Sequence, residues 1–106
     1  MQDPVVIKIF KDGDLVMVKQ FVTPQISIGS AESSQINLPG DGIQALHAVI
    51  ENNGGIYSVM DLGSESGTYI GEDKIIKNNI NSGEIIGVGD YDLHFYIGLP
   101  LSLIHI

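Results

Sequence analysis

The chain of 106 residues contains no cysteine, no tryptophan and no arginine. Without cysteine there is no disulfide, iron–sulfur cluster, thiolate zinc site or cysteine nucleophile. The basic complement is 5 lysines (Lys8, Lys11, Lys19, Lys74 and Lys77) against 13 acidic residues, a formal net charge of −8. A polyphosphate backbone is gripped by clustered Lys and Arg, so nucleic acid is excluded as a partner. Direct binding to an anionic membrane surface is disfavoured on the same ground. No targeting segment is expected either, because Met1-Gln2-Asp3-Pro4 lacks the basic and apolar stretches of a signal peptide. The most apolar window, 95–104, runs about ten residues, well short of the ~20 that span a bilayer. These absences predict a cytoplasmic protein, or the cytoplasmic part of a larger one.

What is present can build a core. The chain is 43% hydrophobic and only 17% charged, which argues against disorder. Its length suits one domain, read as residues 1–100. The apolar residues alternate and helical periodicity is nearly absent. Val5 to Phe10 reads as a strand with Val5, Ile7 and Ile9 on one face. Asp12-Gly13 is a hairpin turn signal leading into Leu15 to Val22. Further strands are read at 25–29, 36–38, 47–51, 56–61, 68–70, 74–77, 84–88 and 91–97. In the last, Tyr91, Leu93, Phe95 and Ile97 share one face, and Asp92, His94 and Tyr96 the other. About ten short strands with turns every 8–12 residues predict an all-β fold, an antiparallel β-sandwich. Irregular loops rich in Ser, Gly and Asp fall at 30–35, 39–46 and 62–67. Such loops gather at the ends of sandwiches and carry function.

Residues 101–106, Leu-Ser-Leu-Ile-His-Ile, have no polar terminus and no implied partner strand. They are similar to the peptide encoded by a transposon end used in sequencing adapters. They are therefore read as a non-native tail, with the natural protein continuing past Pro100. The other reading is a short apolar tail packed on the sheet.

Chemistry-bearing arrangements are few. Gly63-Ser64-Glu65-Ser66-Gly67 is no nucleophile elbow, because Glu65 stands where the nucleophile belongs. Asp61, Glu65, Glu72 and Asp73 match no calcium-loop spacing and read as a solvated acidic surface. No phosphate-cradling Gly-rich loop followed by Lys and a helix is present. The chain is read as non-catalytic, with no cofactor and no metal. Tyr57 and Tyr91 are expected to pack inside, Tyr69 and Tyr96 are the candidates for exposure and an interface role, and His94 is read as a solvated or edge residue.

The order of several short pieces carries more information than any one of them. They are Ile26-Ser-Ile-Gly29, Ile36-Asn-Leu38, Leu46-His-Ala-Val-Ile50, Tyr57-Ser-Val-Met-Asp-Leu62, Ser64-Glu-Ser-Gly-Thr-Tyr-Ile70, Ile80 to Gly89 and Leu93-His-Phe95. In this order and spacing, over residues 5 to 98, the chain resembles a forkhead-associated (FHA) domain. The resemblance implies a sandwich of 11 strands that reads phosphothreonine peptides with the loops at one end. The family's usual Gly-Arg becomes Gly29-Ser30 here, so the phosphate-gripping guanidinium is replaced. Its Ser-Arg-x-His becomes Gln44-Ala45-Leu46-His47, and its Asn-Gly-Thr becomes Ser66-Gly67-Thr68. A charge-assisted hydrogen bond contributes about 1.5–3 kcal/mol. Losing Arg and one hydroxyl contact would weaken phosphate binding by roughly 3–4 kcal/mol, over a hundredfold. No lysine lies in the three loops, which carry Glu32, Asp41 and Glu65 instead.

The reading that follows is a non-catalytic protein–protein interaction module, degenerate in its phosphothreonine-binding residues. Its partner is a protein or peptide, bound independently of phosphate or weakly through it. Contacts are expected at Ser30, Ser33, Ser34, Gln44, Ala45, Ser64, Ser66 and Thr68, with Gly29, His47 and Gly67 as structural supports of the loops. One alternative is a functional phosphothreonine reader, which a phosphate-dependent affinity would identify. Another is a structural or oligomerising domain of a larger assembly, which a concentration-dependent mass would identify. The opening residues are also similar to N-terminal FHA modules of large bacterial motility proteins, and a bacterial signalling protein fits equally.

Overall fold

A computed structural model of the chain describes residues 4–98; the tail at 101–106 lies outside them. Among the described residues eleven strands follow one another: β1 (Val5–Lys11), β2 (Asp14–Phe21), β3 (Gln25–Gly29), β4 (Ile36–Asn37), β5 (Ala48–Asn53), β6 (Ile56–Asp61), β7 (Thr68–Ile70), β8 (Asp73–Ile75), β9 (Lys77–Asn79), β10 (Ile85–Val88) and β11 (Tyr91–Ile97). They form two sheets, a six-stranded one in the order β2-β1-β11-β10-β7-β8 and a five-stranded one in the order β4-β3-β5-β6-β9. The first hairpin turns at Asp12 (φ 52°) and Gly13 (φ 85°), the left-handed pair that a two-residue hairpin loop requires.

The alternation read from the sequence becomes the core. Val5, Ile7, Ile9, Leu93 and Phe95 point from β1 and β11 toward Ile26, Ile28, Ile50, Tyr57 and Val59 of the other sheet. The Phe95 ring meets Tyr57 edge-on at 5.5 Å, a favoured aromatic geometry. Tyr57 and Tyr91 are buried as expected.

Four expectations need correction. The single strand read over 74–77 is two, β8 and β9, and they belong to different sheets. Ile76 between them is 83% exposed, because the chain crosses from one layer to the other there. Second, the all-β sandwich is as expected, but one of its pairings is parallel, β3 with β4 through Ile28↔Ile36 and Gly29↔Asn37. Third, His94 is no edge residue: β11 is flanked by β1 and β10, and its ring lies 4.5 Å from that of Phe10. Fourth, Tyr69 and Tyr96 are half-buried, and Lys8 Nζ lies 5.9 Å from the Tyr96 ring centre.

Candidate peptide-binding site

β3 ends, β5 begins, β6 ends and β7 begins at one end of the sandwich. The three loops between them therefore meet there, and hydrogen bonds join them. From the β3–β4 loop, the Ser30 N–H donates to Gln44 O at 2.9 Å and the Ala31 N–H to Ala45 O at 3.2 Å, both on the β4–β5 loop. The Ser34 hydroxyl donates to Ala45 O at 3.3 Å. From the β6–β7 loop, the Ser66 hydroxyl donates to Gly42 O at 2.5 Å.

Two side chains fix this arrangement. The Asn37 amide on β4 donates to Ser30 O at 3.0 Å and Ala31 O at 2.9 Å, folding the first loop around itself. His47 is fully buried. Its Nδ1 accepts the Gln44 N–H at 3.2 Å, and its Nε2 lies 2.9 Å from Gly67 O. An acceptor at Nδ1 requires the hydrogen on Nε2, so Nε2–H donates to Gly67 O and the ring is neutral. His47 thereby spans from the second loop to the third. With both nitrogens engaged, it has no free ligand position.

Close approach explains Gly29. An ideal Cβ there would lie 2.1 Å from Ala45 O, so a side chain at this position would drive the first two loops apart. Gly67 combines a positive φ of 86° with a crowded surface: its Cβ would lie 2.8 Å from Lys74 Cε.

The third loop is organised by Asp61. Its carboxylate accepts the Gly63 and Ser64 N–H groups at 3.1 and 3.2 Å, the Thr68 hydroxyl at 2.7 Å, and the Ser64 hydroxyl. Ser64 Oγ in turn accepts the Gly67 N–H at 3.1 Å. Burial raises the Asp61 carboxyl. The hydrogen bonds from the Ser64 and Thr68 side chains, and from the Ser64 and Gly63 N–H groups, outweigh it and hold the group below its ordinary 3.8.

The eight contact candidates therefore divide. Ser34 and Thr68 are buried, and with Ser64 and Ser66 they spend their hydroxyl hydrogens on the scaffold. Ser33, Gln44, Ala45 and Ser66 are exposed, and Ser30 is half-buried. Gly29, His47 and Gly67 all lie where the loops join. Sequence reasoning missed Asn37 and the organising role of Asp61. For Asp61 the signal was an Asp at a strand end before Gly-Ser, the pattern of an Asx-turn. Among the described residues no group of His, Cys, Asp and Glu is placed to hold a metal ion. Nor is any helix there long and apolar enough to cross a membrane.

Comparison with known proteins agrees with this fold. The family model described as FHA domain matches residues 26–89. No curated protein matches the chain closely enough to serve as a relative. Among solved structures, the chain is similar to EmbR of Mycobacterium tuberculosis in complex with a low-affinity phosphopeptide, at 22% identity and a TM-score of 0.85. All of this chain, but only 27% of EmbR, is covered. It is also similar to the FhaA FHA domain complexed with the intracellular domain of Rv3910, at 22% identity and a TM-score of 0.75, covering 86% of this chain and 98% of that one. A third is the FHA domain of CT664 from Chlamydia trachomatis, at 18% identity and a TM-score of 0.78, covering 88% and 96%. The chain belongs to the FHA domain family of protein–protein interaction modules.

Proposed function

We propose that this FHA domain binds a protein or peptide partner through its apical loops, with recognition independent of phosphate or weakly dependent on it. The observation that carries the reading is the chemistry of three loop positions. Ser30 stands where the resembled pattern has Arg, Gln44 where it has Ser, and Ser66 where it has Asn. The exposed charges of these loops are Glu32, Asp41 and Glu65. A phosphate carrying nearly two negative charges meets repulsion from them at short range. The Ser30 hydroxyl and the Gln44 side-chain amide supply neutral donors, and Ser66, whose hydroxyl hydrogen goes to Gly42 O, offers its oxygen as an acceptor; these suit a peptide backbone or an uncharged side chain. The domain acts without catalysis, in a cytoplasmic bacterial signalling or motility protein.

A phosphothreonine reader is the second reading. It is favoured by the intact scaffold, in which His47 and Gly29 still bring the three loops together. A two-dimensional amide NMR titration separates the two, using a degenerate phosphothreonine peptide pool and its unphosphorylated twin. Equal responses at Ser30, Gln44 and Ser66 are expected. Shifts with the phosphopeptides alone would overturn the phosphate-independent reading. Silence with both would move the partner away from the loops.

A further inference from the structure

The five lysines differ in their surroundings. Lys11 Nζ sits 5.4 Å from the Tyr91 ring centre, and Lys8 Nζ lies over Tyr96. Lys19 Nζ donates to Gln35 O at 3.0 Å, and Lys77 lies on β9 opposite Met60. Lys74 is different. It stands on β8 opposite Tyr69, and its stem runs across Gly67. The absence of a Cβ on Gly67 is what admits that stem, since an ideal Cβ would meet Lys74 Cε at 2.8 Å and Cδ at 3.5 Å. The ammonium, one bond beyond Cε, is thus carried to the third apical loop, beside the residue whose carbonyl takes the His47 hydrogen bond. Lys74 is exposed, and its amine has no hydrogen bond or ion pair among the described residues.

We infer that Lys74 is an anion-binding residue of the apical surface, contributed by β8, and that the partner presents it with an oxyanion, a phosphate or a carboxylate side chain. This rests on the proposed use of the apical loops and names the chemistry of what they receive. A primary ammonium is a compact point charge with three donors, so it accepts either oxyanion without the planar geometry a guanidinium demands. The stem is already laid on Gly67, so less side-chain freedom is lost on binding than for a lysine extended into water. With Glu32, Asp41 and Glu65 exposed on the loops, this cation makes the β7–β8 side of the apex the part that tolerates negative charge. The partner peptide is oriented accordingly, its acidic end toward β8.

The test follows lysine side-chain signals in a carbon-13 and nitrogen-15 labelled chain, which has 5 lysines to resolve. Three degenerate peptide pools are titrated, with a fixed phosphothreonine, a fixed glutamate or a fixed threonine. The Lys74 Cε signal is expected to move with the first two pools and not with the third. Movement with the phosphothreonine pool alone assigns the oxyanion to phosphate, and movement with both assigns it to either source. Lys74→Met keeps an unbranched stem over Gly67 and removes the charge. It is expected to weaken binding of the anionic pools about fivefold, the scale of a solvent-exposed ion pair. Lys8→Met, in the middle of β1 opposite His94 and Val18, should leave affinity unchanged. If Ser30, Gln44 and Ser66 respond while Lys74 Cε stays still and Lys74→Met binds like wild type, the inference falls and the apical-loop reading stands. If no apical residue responds to any pool, both fall.

Discussion

The Nε2 of His47 and the carbonyl oxygen of Gly67 are 2.9 Å apart, though 20 residues separate them in the chain. That contact ties the loop after β4 to the loop after β6, and it lies in full burial. A buried carbonyl without a donor costs about 1–3 kcal/mol, and the Gln44 N–H would lose its acceptor at the same time. His47→Ala is therefore expected to destabilise the fold by about 3 kcal/mol. Urea unfolding measures it. A loss below about 1 kcal/mol, the effect of an ordinary surface change, would show that the bridge does not hold the loops.

Gly29→Ala tests close approach rather than backbone freedom. Gly29 has no positive φ, yet its Cβ would lie 2.1 Å from Ala45 O, a main-chain atom that cannot rotate away. The expected cost is about 2–3 kcal/mol of overpacking. Gly54→Ala is the comparison, since nothing lies within 4 Å and only its φ of 65° opposes a side chain. That substitution should cost about 1 kcal/mol. Equal losses in thermal melts would remove the steric explanation.

Asp61 gives a pH dependence with a defined sign. Its carboxyl is held below 3.8 in the fold, so the unfolded chain takes up a proton at higher pH than the folded one. The stabilisation is fully present above the ordinary carboxylate range and is lost as pH falls through the lowered folded value. Asp61→Asn should flatten the acid limb of stability against pH, measured by urea melts from neutral pH downward. An unchanged acid limb would mean that other carboxylates control it.

Ser58 predicts a gain. Its hydroxyl is buried on β6 with no hydrogen-bond partner among the described residues. Ser58→Ala removes an unsatisfied group at little cost in volume and should stabilise the fold by about 1 kcal/mol. A loss of stability in denaturant unfolding would mean that water or a partner reaches the hydroxyl.

The fold was legible wherever one physical signal dominated. Val5, Ile7 and Ile9 alternate cleanly, and all three are fully buried. Asp12-Gly13 supplies the two left-handed residues of a tight hairpin. The split at Ile76 was not legible, because an exposed isoleucine between Ile75 and Lys77 reads as one more strand residue. Nor was the parallel pairing of β4, since two residues carry too little pattern to set direction. In the site, a serine or threonine hydroxyl serves backbone, carboxylate or partner equally well, so sequence alone could not sort Ser30 from Ser34, Ser64, Ser66 and Thr68. Lys74 lies on a strand rather than in a loop, and only the pairing of β7 with β8 places it against Gly67.

The chain enters and leaves the domain at the end opposite the three loops. Val5 pairs with Ile97, and the Gly98 N–H donates to Pro4 O at 2.8 Å. Tension between these two points would load the β1–β11 ladder from its open end, one rung after another, rather than along all its rungs together. The domain should thus yield to pulling at low force while resisting denaturant through its core. A polypeptide joined at either point would hang clear of the loops and leave them open to a partner.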